Sequence, residues 1–355
     1  MTDVAERPSD AVRHSASQAR EHGIRHVLVC LDRSRLAETC LPHARFIADA
    51  FDARLTLLHV LASPEGDQPS TRPDALDWEL TRREAEQYLT DIQVKLEGEG
   101  VARQRIATEV TQGRPAERIV NLARTIGADL TLLSSHGEGG VGPWNLGSTT
   151  QQVLSLAPSS VFVAPPDSGA CWNVPAKRIV VAVDGSLRTQ SVLPEVAQLA
   201  RFHGAQVLLV HVVPEPKPTA ILSTEQDLEL ARSLAARLQV GAEKYLSQVR
   251  QRLFAEVRSV DTLVLRDASE RRALLEVTAQ RQADLLVLAA HGATCDAERP
   301  FGSVAAYALS HARLPLLVLQ DLPARERESY RPPAELNEIP PSGRMPIDLR
   351  PPRGN

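Results

Sequence analysis

Short apolar runs alternate with longer stretches of helical periodicity along most of the 355 residues. Residues 26–31 (His-Val-Leu-Val-Cys-Leu) form a run rich in β-branched and aliphatic side chains, and it ends at Asp32-Arg33-Ser34. Its length and bounds predict a buried strand. Leu36, Cys40, His43, Ala44, Ile47 and Phe51 then recur at helical spacing, and 55–60 (Leu-Thr-Leu-Leu-His-Val) reads as a second strand. A polar, Pro-containing loop over 63–73 leads into an amphipathic helix with Leu80, Tyr88, Leu89, Ile92 and Leu96 on one face. A third strand over 105–111 ends at Gly113. Pro115 suits the first turn of the next helix, and a fourth strand over 129–133 enters a loop. The helix after Ser148 stops before Pro158, and 161–164 is a fifth strand.

The order then repeats. Strands are expected at 177–183, 207–212, 260–265, 285–288 and 316–319, with helices at 228–253, 271–281 and up to His311. Asp32 to Asp184 and His59 to His211 are both 152 residues apart, while Gly137 to Gly292 and Gly147 to Gly302 are both 155 apart. Such register is the mark of a tandem duplication. The domains expected are 24–166 and 177–321, joined by a linker at 167–176. A polar arm over 1–23 precedes them, and a tail over 322–355 with eight prolines follows.

Strands alternating with helices predict parallel β-structure in an α/β fold with right-handed crossovers. Each half is expected to be an open, Rossmann-like, five-stranded parallel sheet with helices on both faces. Ligands of such sheets sit beyond the carboxyl ends of the strands, where the strand order reverses. That rule gathers Asp32, Val60 and the loop Ser134-Ser135-His136-Gly137 to Gly147-Ser148-Thr149 at one edge. In the second half it gathers Asp184, Val212 and the loop Ala289-Ala290-His291-Gly292 to Gly302-Ser303. A strand, a Gly-rich loop and a helix start make a site for phosphate, because glycine lets the backbone approach and the first helical N–H groups face the anion.

Composition narrows the partners. A net charge of −4, with 24% charged and 43% hydrophobic residues, gives no general basic surface and argues against nucleic acid. No apolar run reaches the roughly 18–20 residues that span a membrane, and 1–23 lacks the apolar segment of a secretory signal. The four cysteines lack metal-ligand spacing and suit reduced thiols, so a cytoplasmic protein without a metal site is expected. Phosphate-binding Gly-x4-Gly-Lys-Ser/Thr, dinucleotide Gly-x-Gly-x-x-Gly and nucleophile Gly-x-Ser-x-Gly motifs are absent, and no catalytic residue is assigned.

Taken as a set, twice over, the Asp after the first strand (Asp32-x-Ser34, Asp184-Gly185-Ser186), the His-Val pairs (His59-Val60, His211-Val212) and both loops resemble the universal stress protein family in tandem form. The resemblance implies the adenine nucleotide alpha hydrolase-like fold and an ATP site, with Mg2+ accompanying the nucleotide. It assigns Asp32, Val60, Ser134, Gly137, Gly147, Ser148 and Thr149 in the first half. In the second it assigns Asp184, Val212, Ala289, Gly292, Gly302 and Ser303. His136 and His291 lie within the loops, where they either touch the ligand or bond loop carbonyls. Other members of the family lack the loop and bind no ATP.

Two departures matter. The first loop glycine of the family is Ser134 here and Ala289 in the second half, where any left-handed backbone would be strained. The second loop also carries Asp296 and Glu298 against Arg299, while the first has only Glu138, so ATP is expected in the first half. The implied role is a stress-response sensor or regulatory switch acting on an unidentified protein partner. A nucleotide-independent scaffold and a slow ATPase are the alternatives. The fifth strands, 161–164 and 316–319, are expected to pair into an internal pseudo-dimer, with further homo-oligomerisation left open.

Overall fold

The structure, a computed structural model, describes residues 23–62, 75–137, 146–157, 159–166, 176–215, 224–293 and 299–321. Most of the arm, the linker and the Pro-rich tail, as well as the 63–73 loop, lie outside the described residues.

The first half contains β1 (His26–Cys30), β2 (Arg54–Ala62), β3 (Ile106–Gly113), β4 (Leu130–Ser134) and β5 (Ser160–Ala164). Its helices are α1 (Arg35–Glu38), α2 (Leu41–Phe51), α3 (Ala75–Gly98), α4 (Pro115–Thr125) and α5 (Ser148–Leu156). The second half repeats the series. Its strands are β6 (Arg178–Ala182), β7 (Gln206–Pro214), β8 (Ser259–Asp267), β9 (Leu285–Ala289) and β10 (Leu316–Leu319). Its helices are α6 (Leu187–Ser191), α7 (Leu193–His203), α8 (Glu225–Leu253), α9 (Glu270–Gln280) and α10 (Ser303–His311).

Where the apolar spacing predicts one helix over 36–51, there are two. Pro42 stands in the first turn of α2, where its missing N–H is harmless, whereas inside a continuous helix it would lose a bond and clash. Pro194 divides α6 from α7 in the same way. Each short helix is capped by the serine of the Asp-x-Ser turn. Ser34 Oγ accepts from Ala37 N at 3.0 Å, and Ser186 Oγ from Thr189 N at 3.2 Å.

The ten strands form one sheet in the order β3-β2-β1-β4-β5-β10-β9-β6-β7-β8. Neighbours within each half are parallel; Val27 pairs with both Leu55 and Leu130, and Ile179 with both Val207 and Leu285. The two five-stranded sheets join through β5 and β10, the pairing expected of 161–164 and 316–319. It is antiparallel, with Phe162 opposite Leu317. This join leaves each half one outer edge strand in place of two.

Alternation along the central strands divides the core. On one face Val27, Val29, Leu55, Leu57, Leu130, Leu132 and Phe162 merge with Ile179, Val181, Leu285, Val287 and Leu317 into one apolar layer spanning both halves. On the other face Leu28, Leu58 and Leu133 belong to a first-half cluster. Val180, Leu286 and Val318 belong to another that also takes in Val161 and Val163. Helices α2 and α7 seal the join on the continuous side. His203 stacks on Phe46 at 3.9 Å and donates from Nε2 to the Phe46 carbonyl at 2.7 Å, while Gln198 Nε2 donates to Ala50 O at 2.8 Å. Cys30 and Cys40 are buried free thiols, and burial pushes both well above the ordinary thiol pKa. Cys171 and Cys295 lie outside the described residues.

Candidate functional site

In each half the strand order reverses beside the first strand, opening a crevice at the carboxyl ends of β1 and β4 and, in the second half, of β6 and β9. Asp32 and Asp184 stand two residues beyond the ends of β1 and β6. Each carboxylate turns back on its own chain, Asp32 Oδ1 accepting from Ser34 N and Asp184 Oδ1 from Ser186 N, both at 2.9 Å. This is an Asx-type turn. The residue between adopts a left-handed backbone in both halves. Gly185 does so freely at φ 84°, whereas Arg33 at φ 71° carries a Cβ into an unfavourable region.

The second oxygen of each Asp lies beneath the loop. A Cβ on Gly137 would fall well inside van der Waals contact with Asp32 Oδ2, and one on Gly292 well inside contact with Asp184 Oδ2. Neither glycine has a positive φ. Their requirement is therefore space for a carboxylate, not a special backbone angle. In the second half the contact continues as a hydrogen bond, Ala293 N donating to Asp184 Oδ2 at 2.7 Å, and Thr189 Oγ1 donates to Oδ1 at 2.7 Å. Burial opposes ionisation of Asp184, but these bonds outweigh it and hold its pKa below the usual carboxylate value.

Identical backbone bonds close the two loops. Gly147 N donates to Ser135 O and Gly302 N to Ala290 O, both at 2.7 Å, while Ser135 N and Ala290 N bond the ends of β5 and β10. A Cβ on Gly147 would lie 3.4 Å from Ser135 O and 3.5 Å from His136 Cα, in contact with that backbone and with no space beyond it in their direction, and Gly302 repeats this. Gly147 and Gly302 are the N-caps of α5 and α10 and supply no side-chain cap. Ser148 and Ser303 are thus the first residues of their helices and not the caps. Both are exposed beside helix-start N–H groups, with Thr149 half-buried next in line.

Ser134 and Ala289, the small residues at the family's first glycine, have no left-handed backbone and so carry no such strain. Ser134 Oγ donates to the His136 carbonyl at 2.7 Å, and its own carbonyl accepts from Thr150 Oγ1 at 2.8 Å. Val60 and Val212 are half-buried towards the ends of β2 and β7. Before them, His59 Nδ1 donates to Leu31 O at 2.8 Å and His211 Nδ1 to Val183 O at 2.6 Å, tying the second strand of each half to the end of the first. Residues 138–145 and 294–298, including Glu138, Asp296 and Glu298, lie outside the described residues.

Asymmetry between the crevices rests on residues that the repeat pattern does not single out. His136 is buried, with Nδ1 3.2 Å from Ser135 Oγ. His291 has both ring nitrogens engaged, Nδ1 with Asp321 Oδ1 at 3.0 Å and Nε2 with Arg299 O at 2.8 Å. Arg188 Nη1 reaches the other oxygen of Asp321 at 2.9 Å. Burial pulls His291 down, but the bonds from Asp321 and Arg299 overcome it and raise its pKa. Asp321 is depressed by its bonds to His291 and Arg188 against the pull of burial. Carboxylates also stand at the ends of β7 and β8, where Glu215 pairs with Arg266 at 3.6 Å and Asp267 with Arg272 at 3.9 Å. The first half has Ala62 and Gly113 at those strand ends, Gly113 at φ 139° beneath the Arg118 side chain. Arg188 and Asp321 are 133 residues apart and leave no periodic signal. Tyr88 and Tyr245, which stand near Asp32 and Asp184, were legible as a repeat at an offset of 157.

An open, mostly parallel sheet with helices on both faces and a switch point in each half defines a doubly wound, Rossmann-like class of fold. The model of the universal stress protein family matches residues 23–165 and 175–320. The chain belongs to the universal stress protein family, with two tandem copies. A universal stress protein of Mycolicibacterium smegmatis is 24% identical over 313 residues, 85% of this chain and 98% of that protein. One from Methanocaldococcus jannaschii is 30% identical over 144 residues, 40% of this chain and 83% of its own. Among solved structures, a universal stress protein from Archaeoglobus fulgidus shares the fold at a TM-score of 0.59 and 18% identity, covering 85% of this chain and all of that one. No described helix is long and apolar enough to cross a membrane.

Proposed function

We propose that this chain is a stress-response protein whose first half binds ATP or another adenine nucleotide, with Mg2+ on the phosphates, and uses occupancy as a regulatory switch. One observation carries the reading. Asp32 is seated under Gly137 at the switch point, while the Gly147 turn presents the uncapped start of α5 to the same crevice. Asp32 and Val60 would flank the adenosine; Ser134, Gly137, Gly147, Ser148 and Thr149 would face the phosphates, with His136 behind the loop. Asp184, Val212, Ala289, Gly292, Gly302 and Ser303 form the corresponding set in the second half.

The preference for the first half rests on charge. The second loop carries Asp296 and Glu298 against Arg299, a balance that disfavours a polyphosphate, whereas the first loop has Glu138 alone. Binding would place the phosphates against the Gly137 and Gly147 backbone and so alter the surface offered to a cytoplasmic protein partner.

Calorimetric titration of nucleotide-stripped protein with Mg-ATP tests this. The expected result is one site per chain in the wild type, lost in Gly147→Val, which adds two methyl groups beyond a Cβ already touching the Ser135 and His136 backbone and so crowds the turn at the start of α5. Absence of binding to the wild type would overturn the proposal in favour of a nucleotide-independent scaffold.

A further inference from the structure

Helices α3 and α8 are copies of each other at an offset of 157. Ala85 matches Ala242, Tyr88 matches Tyr245 and Leu89 matches Leu246. The alanines and leucines are buried in both halves. Against this agreement, one pair of positions near the crevice changes together. In the first half Arg33, left-handed at φ 71°, reaches Glu84 of α3, with Nη1 and Nη2 at 3.4 and 3.5 Å from Oε2. In the second half the residue after the Asp is Gly185, and the residue matching Glu84 is Gly241. Both ends of the ion pair are therefore glycine in the sister half.

The pair is poorly explained by stability. Its side chains are 43% and 53% exposed, and exposed pairs of this kind contribute little. Meanwhile a left-handed residue with a Cβ is unfavourable, and Gly185 shows that the turn itself needs no side chain. Strain retained beside a binding crevice points to a role in that crevice. Helix α3 packs on β2 and β3, so a link from the end of β1 to α3 crosses the end of β2, beside His59 and Val60. Strand β1 lies between β2 and β4, about 4.8 Å from each. The strand that ends before Arg33 thus neighbours both the strand under α3 and the strand that feeds the loop, and an arginine side chain has the length and rotatable bonds to be redirected from one side to the other.

We infer that Arg33 is the anion-reading residue of the first-half site, and that Glu84 is an internal carboxylate which a phosphoryl group of the ligand displaces. The guanidinium fork fits carboxylate and phosphate oxygens alike, so one can be exchanged for the other. The assignment rests on the nucleotide reading above and adds a substrate class: phosphorylated nucleosides are preferred to free nucleosides. The second half, with Gly185 and Gly241, lacks this discrimination.

The test is calorimetric titration of the full chain with Mg-ATP and, separately, with adenosine, on wild type, Arg33→Gly, Arg33→Lys and Glu84→Gln. Arg33→Gly installs the residue that the sister half uses at the same backbone angle, and a thermal midpoint confirms that it folds. Expected are an ATP affinity about tenfold weaker in Arg33→Gly with adenosine unchanged, an intermediate loss in Arg33→Lys, and ATP binding about threefold tighter in Glu84→Gln. An ATP affinity unchanged in Arg33→Gly, or equal losses for ATP and adenosine, would overturn the assignment while leaving the nucleotide site standing. A wild type that binds neither ligand would overturn both.

Discussion

Replacing Gly292 by Ala tests the idea that the loop glycines exist to seat a carboxylate. The added methyl would overlap Asp184 Oδ2, and the backbone there has no positive φ, so the whole effect is steric. To make room, Asp184 must give up the bond from Ala293 N at 2.7 Å and loosen those from Ser186 N and Thr189 Oγ1 at 2.9 and 2.7 Å. A hydrogen bond to a charged group contributes about 1.5–3 kcal/mol, so loss of one and weakening of another gives about 3 kcal/mol of destabilisation. Denaturant unfolding of Gly292→Ala, Asp184→Ala and the double variant measures this as a cycle. Removing the carboxylate removes the clash, so Gly292→Ala should cost under about 0.5 kcal/mol in the Asp184→Ala background, a coupling of about 2 kcal/mol or more. An equal cost in both backgrounds would refute the reasoning and return the glycine to a backbone role.

Arg33→Gly should raise unfolding stability by about 0.5 kcal/mol. Relief of a left-handed residue, about 1–2 kcal/mol, exceeds the glycine entropy and the exposed pair with Glu84; a drop in the denaturant midpoint would contradict it. The Asp321 network should give a pH window. His291 is raised above 6.5, so its contribution is full below that value and fades as pH rises through the folded pKa. Asp321 is lowered below 3.8, so its contribution is present above that value and fades as pH falls through its folded pKa. The stability difference between wild type and Asp321→Asn should therefore be greatest between the two and shrink on either side. A difference independent of pH from about 3 to about 9 would show that the pair does not titrate with folding.

The alternation of apolar runs and helical periods located the ten strands of the described residues, because strand burial in a parallel sheet is written in consecutive residues. Constant offsets revealed the duplication, and with it the positions of Asp32, Asp184 and both loops. The helix break at Pro42 was equally local, although the apolar spacing alone overran it. A serine that opens a helical stretch, as Ser148 and Ser303 do, suits a cap by its sequence neighbours. The closure of each loop by the glycine's own N–H shifted the cap by one residue.

Other features were decided only by folding. The sequence determined that each half has an acid after its first strand and a glycine after its fourth, but their contact needs the two strand ends to be adjacent, which the pairing of β1 with β4 provides. Likewise the junction of two sheets into one depends on β5 and β10 meeting antiparallel across 155 residues of chain, and the ion pairs Arg188–Asp321 and Arg33–Glu84 join residues 133 and 51 apart. Local periodicity records which side of an element faces the core. It holds no record of which distant charge stands opposite, and that is where the two halves of this duplicated chain differ.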